Sequence, residues 1–93
     1  MRLRELEKIY RVLGGRKRIE IIRLLIDGRE LSVGDIAKEI HLSHTATSKH
    51  LVMLRQAGFL DRRQAGFEAR YWLEDGLASE LAILVKLIRQ TKI

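Results

Sequence analysis

Between positions 43 and 49 the chain carries Ser43, His44, Thr45, Thr47, Ser48 and Lys49, a run of hydroxyls, one imidazole and one ammonium. Such groups donate and accept at short range, and the threonine methyls can pack against another methyl. Those are the contacts that read base-pair edges: hydrogen bonds to purine N7, O6 and N6, and apolar contact with the thymine methyl. A local use competes with that one, because hydroxyl residues at a helix start also cap it and face water. A second group, Arg62, Arg63 and Arg70, offers guanidinium forks that match phosphate oxygens, with plain solvation as its alternative.

Other chemistry is harder to build from this composition. His41 and His44 are three apart but straddle an expected turn, and His50 falls on another face, so the three do not supply the converging ligands that zinc requires. The absence of cysteine removes disulfides, thiolate metal sites, thiol nucleophiles and thiol redox sensing. Neither a glycine-rich phosphate loop nor a Ser/His/acid set is present, so neither an enzyme nor a cofactor is expected. Eighteen Lys+Arg against twelve Asp+Glu give a formal net charge of +6, which favours a polyanionic partner. Residues 1–18 hold seven basic and two acidic side chains, and residues 41–72 hold five and two, whereas residues 73–93 balance. The C-terminal end is therefore expected to serve something other than a polyanion. No run of uncharged apolar residues is long enough to span a membrane. Met1 is followed by Arg2, Arg4, Glu5 and Glu7 rather than a secretory leader, so a cytoplasmic location is expected.

The elements that would hold these groups follow from periodicity, and residues 1–93 read as one domain. Leu3, Leu6, Tyr10 and Leu13 mark a helix ended by Gly14-Gly15, and Ile19, Ile22 and Ile26 mark a second one over Arg16–Asp27, closed by Gly28. Its first residues, Arg16, Lys17 and Arg18, oppose the helix dipole, which suggests a nearby phosphate or acidic group unless they form a solvated cluster. Ser32 can cap a third helix through Ile36, Ala37 and Ile40 by accepting from the Asp35 amide. Only His41, Leu42 and Ser43 separate it from a fourth helix with Ala46, Leu51 and Leu54 inward, ending near Ala57-Gly58. That spacing makes a helix-turn-helix over about residues 32–57. The period then changes to two, predicting a hairpin over about residues 59–73 that turns at Ala65-Gly66. Phe67 beside that turn either touches a nucleic acid or packs under the hairpin. Asp75 can cap a fifth helix with Leu77, Leu81, Leu84 and Ile88 on one stripe, and Ile83 and Leu87 beside it. The fold class is mostly α with a small β-hairpin: a winged helix-turn-helix of five helices plus wing.

Apolar residues at the two ends exceed what one small core can cover. The economical solution is a homodimer in which helices of about residues 2–13 and 76–91 pair across a two-fold axis, burying Leu3, Leu6, Leu77, Leu81, Leu84 and Ile88. Two copies of the fourth helix would then meet successive major grooves about 34 Å apart on an inverted repeat of double-stranded DNA.

Residues 30–73 resemble the ArsR/SmtB family of winged-helix repressors. The likeness is carried by Leu42-Ser43, Thr47-Ser48-Lys49-His50-Leu51, Leu54-Arg55, Ala57-Gly58-Phe59-Leu60, Tyr71 and Leu73. It implies a dimeric transcriptional repressor on an operator, and a structural, partly buried His50 near the first helix. Glu30-Leu31-Ser32-Val33-Gly34-Asp35-Ile36 resembles the family's thiolate motif with Ser32 and Gly34 at the two cysteine positions. Serine is a poor ligand for soft metals and glycine offers none. The family's other site uses Asp, His and Glu on the last helix, yet residues 74–93 contain no histidine, so metal sensing by either route is not expected. An effector, if any, would be a small organic ligand, a partner protein, pH acting on His50, or heat. A winged helix used for protein contact within a larger assembly is the competing function.

Overall fold

The computed structural model describes residues 1–92. Eight elements follow in order: α1 (Leu3–Leu13), α2 (Arg16–Leu25), β1 (Leu31–Ser32), α3 (Val33–Ile40), α4 (His44–Gln56), β2 (Leu60–Ala65), β3 (Glu68–Leu73) and α5 (Ser79–Gln90). Helix α2 is the hub. Ile21, Ile22 and Leu25 are completely buried and share one core with Ile36 of α3, Leu51 and Leu54 of α4, and Phe59.

Two helix ends fix the entry and exit of α4. After α3, the His41 amide bonds Lys38 O and the Leu42 amide bonds Ala37 O, a Schellman closure that requires a left-handed residue at His41, where φ is 56°. After α4, Gly58 takes φ 92° while its amide bonds Arg55 O and the Phe59 amide bonds Leu54 O. Phe59 and Leu54 are both fully buried, which supplies the apolar contact that accompanies this closure. Both helices start on serine: Ser32 Oγ accepts from the Asp35 amide and Ser43 Oγ from the Ala46 amide, each at 3.1 Å.

The expected hairpin is joined by a third strand. The antiparallel order is β1-β3-β2, with Leu31 opposite Tyr71 and Arg63 opposite Arg70. Strand β1 is two residues long and shows no alternation that sequence could reveal.

At the C-terminal end the structure corrects three expectations. Asp75 does not cap α5, which starts at Ser79 behind Ala78 without a side-chain cap. The Glu74 amide bonds Phe59 O at 2.9 Å, which holds the chain beside β2 and delays the turn, and so leaves Leu77 ahead of the helix. Leu81 and Ile88, only 5% and 8% exposed, join Val85 on the stripe that faces this chain's own core, and Leu84 packs partly against it. The free apolar face of α5 carries Ile83 and Leu87 instead, 63% and 56% exposed. Leu3 and Leu6 of α1 are exposed as expected, together with Tyr10.

Candidate nucleic-acid interface

Helix α4 presents His44, Thr45, Lys49, Val52 and Arg55 to solvent, with Ser48 half-buried between them. These positions recur at helical spacing, so one continuous face results. Thr47 is not on it. Its side chain is 0% exposed, on the inward stripe with Leu51 and Leu54, and its Oγ1 has no hydrogen-bond partner. A base contact by Thr47 is excluded by that burial. The signal was present in the spacing, since 47, 51 and 54 step by four and three. The same spacing assigns Val52 and Arg55 to the outward face, which sequence reasoning passed over.

The wing arginines are held rather than free. Neighbouring strand residues point to opposite faces. Arg62 accordingly lies over the Tyr71 ring at 5.8 Å from its centre and donates to Gln64 Oε1 at 2.7 Å, while Arg63 lies on the other face beside Arg70. Two guanidiniums directly across an antiparallel pair repel. Glu30, just before β1, reconciles them: its carboxylate accepts from Arg63 Nε and Nη2 at 3.3 and 3.0 Å and from Arg70 Nε at 3.1 Å. Arg70 also donates to Glu30 O at 3.3 Å. These hydrogen bonds, from Arg63 first and Arg70 second, hold the Glu30 carboxyl below its ordinary range and raise Arg63 above its own. Arg63 keeps 55% of its side chain exposed, so one fork edge remains open to a phosphate. No local pattern links residue 30 to residues 63 and 70, which is why Glu30 escaped the sequence reading.

Of the cations that open α2, Lys17 and Arg18 are used inside the molecule, while Arg16 stays exposed. Arg18 folds back to the C-terminal end of α1, donating to Val12 O and Arg11 O, and Lys17 donates to Ile40 O at the end of α3. Each thus meets the negative end of a neighbouring helix, which offsets its poor position on its own. Gly15 makes room, since a Cβ there would come within 2.8 Å of the Arg18 guanidinium. Arg16 and Lys17 also pair with Glu20.

Arg18 reaches α4 as well, 3.0 Å from His50 Nδ1. A guanidinium only donates, so Nδ1 accepts and the proton sits on Nε2. Burial, then the Arg18 charge, lowers the His50 pKa and favours the neutral ring. His50 therefore joins α4 to the α1–α2 corner, and the outward stripe lies on the helix's other faces. His41 occupies the turn. Among the described residues no three His, Asp or Glu side chains converge as metal ligands, and no helix is long and apolar enough to cross a membrane.

A capped helix presented by a tight turn and flanked by a three-stranded wing defines the winged helix-turn-helix class. Residues 16–62 match the family described as bacterial regulatory protein, arsR family, just over half of the chain. The protein belongs to that family of transcriptional regulators. Over 97% of its length it is 29% identical to the transcriptional activator HlyU of Vibrio cholerae, covering 86% of that protein. It is 28% identical to the arsenical resistance operon repressor of Escherichia coli, over 84% of this chain and 67% of the repressor. The solution structure of the homodimeric winged helix-turn-helix DNA-binding domain of Mb0332 from Mycobacterium bovis superposes with a TM-score of 0.76 at 25% identity, over 94% of this chain and 77% of that one.

Proposed function

We propose that the protein is a cytoplasmic, homodimeric reader of double-stranded DNA that represses transcription by occupying an inverted-repeat operator, with no catalytic step of its own. The observation that carries this reading is α4 itself: thirteen residues with no acidic side chain, capped at Ser43 and exposing polar and basic groups along one face. His44, Thr45, Ser48 and Lys49 are assigned to base edges and adjacent phosphates, and Ser43 to the helix start that meets the backbone. Val52 is a candidate contact for a thymine methyl, and Arg55 for a phosphate. Arg63 and, through Glu30, Arg70 serve the flanking backbone from one face of the wing, and Arg62 does so from the other.

The exposed faces of α1 and α5 support self-association: Leu3, Leu6 and Tyr10 on one, Ile83 and Leu87 on the other. The homodimeric Mycobacterium bovis domain is consistent with that. One relative is named an activator and another a repressor. Repression is assigned here because steric occlusion needs only a bound dimer.

Selection of bound fragments from random DNA tests the whole reading. The expected product is a pair of inverted half-sites about one helical turn apart, bound with an affinity that falls steeply with salt. Equal affinity for every duplex of one length, or a flat salt response, would overturn it.

A further inference from the structure

Phe67 is the most exposed large apolar side chain among the described residues, at 105%. It does not pack under the wing. Five of the other exposed large apolar residues lie on α1 and α5, on the faces assigned to a second copy, whereas Phe67 stands alone at the tip of a cationic hairpin.

Turn chemistry does not account for the ring. Gly66 has φ 65° and Phe67 has a negative φ, the pattern of a two-residue type II′ turn, which requires glycine at its first position and makes no such demand of the second. The tip is also held. Strand pairing runs out to Ala65 opposite Glu68, and Arg62 donates to Gln64 Oε1, whose amide donates in turn to Gly66 O at 3.1 Å. The ring is thus carried on a preorganised tip roughly 17 Å beyond the buried Leu60–Leu73 end of the hairpin, at about 3.4 Å per residue. A backbone held in this way lowers the entropy lost on contact.

We infer that Phe67 is a wedge: it enters the minor groove beside the sequence read by α4 and partly unstacks a base step. The inference rests on the DNA-binding reading above. Arg62, Arg63 and Arg70 bring the hairpin to a polyanion, and Glu68 disfavours resting the tip on the phosphates themselves, leaving the groove for the ring. Apolar side chains inserted in this way unstack and kink DNA, at least cost at flexible pyrimidine–purine steps. Operators should therefore carry such steps in their outer flanks without any hydrogen-bonded base contact there.

The test uses the full chain and a duplex selected by the wild type, with 2-aminopurine placed at successive flanking positions. Wild-type binding should raise the fluorescence at one flanking step. Phe67→Ala should abolish that rise and weaken binding roughly tenfold, while Phe67→Leu retains part of both. The slope of log affinity against log salt should stay unchanged in Phe67→Ala, because no phosphate contact is lost, and should fall by about one in Arg63→Ala. Wild-type affinity and an unchanged signal in Phe67→Ala would overturn the wedge while leaving DNA binding intact. Conversion of the dimer to a monomer by Phe67→Ala, with base stacking unaffected in the wild-type complex, would assign the ring to a second copy and overturn it too. Failure of the wild type to enrich any duplex would instead defeat the DNA reading and the wedge with it.

Discussion

Thr47 and His50 are three residues apart on α4, and both act inward. A buried hydroxyl without a partner destabilises, so Thr47→Val, which keeps the shape and removes the hydroxyl, should raise stability by about 1 kcal/mol. Urea denaturation measures that change, and selected-duplex binding should keep its sequence preference. Loss of preference in Thr47→Val would restore Thr47 to the base-reading set. For His50 the native state disfavours the proton, so the unfolded chain binds more protons as the pH falls through the ordinary histidine range near 6.5. Stability is expected to decline from there until the pH passes below the lowered native value, and to level off beyond it. His50→Gln, whose carbonyl can still accept from Arg18, should flatten the profile in that window. An identical slope in both proteins would show that other groups set it.

Among the elements, the turn between α3 and α4 sets how the outward face of α4 is presented, and it rests on His41 in a left-handed conformation. A side chain there strains the backbone by about 1–2 kcal/mol, part of which glycine returns through the entropy of the unfolded chain. His41 is exposed, so His41→Gly should stabilise the protein by about 0.5–1 kcal/mol. Thermal denaturation checks this, and a lower midpoint would mean that the imidazole does more than occupy the turn. The wing shows the complementary case. Its two facing arginines need the carboxylate of Glu30, just before β1, so wing geometry is not a property of the hairpin alone.

For the molecule as a whole, the exposed apolar residues divide by position: those of α1 and α5 for a second copy, Val52 of α4 and Phe67 at the wing tip for the DNA. A 93-residue chain buries a modest share of its surface alone, and pairing these helix faces extends the core across two copies. Leu87→Glu should leave the fold intact, because Leu87 is 56% exposed, and should shift the protein to monomer at concentrations where the wild type is a dimer. Analytical ultracentrifugation gives the answer. Affinity for the two-half-site duplex should fall steeply while that for a single half-site changes little. A Leu87→Glu protein that remains dimeric would move the interface elsewhere.

The presence of five helices, the serine starts of α3 and α4, the left-handed Gly28 and the switch from helical to alternating period were all legible in the chain, because each depends on interactions within a few residues. The family likeness rests on the same local stretches. Which apolar stripe of α5 turns inward was not legible, since Leu81–Ile88 and Ile83–Leu87 are equally apolar and only the position of α2 selects between them. The inward turn of Thr47 was legible in its spacing with Leu51 and Leu54, although its hydroxyl also suits a base. Glu30 with Arg63 and Arg70, and Lys17 and Arg18 with the ends of α3 and α1, are contacts between separate elements, and α5 starts late because Glu74 bonds Phe59. Short-range periodicity and capping are written in adjacent residues, whereas partner choice depends on which surfaces the folded chain brings together.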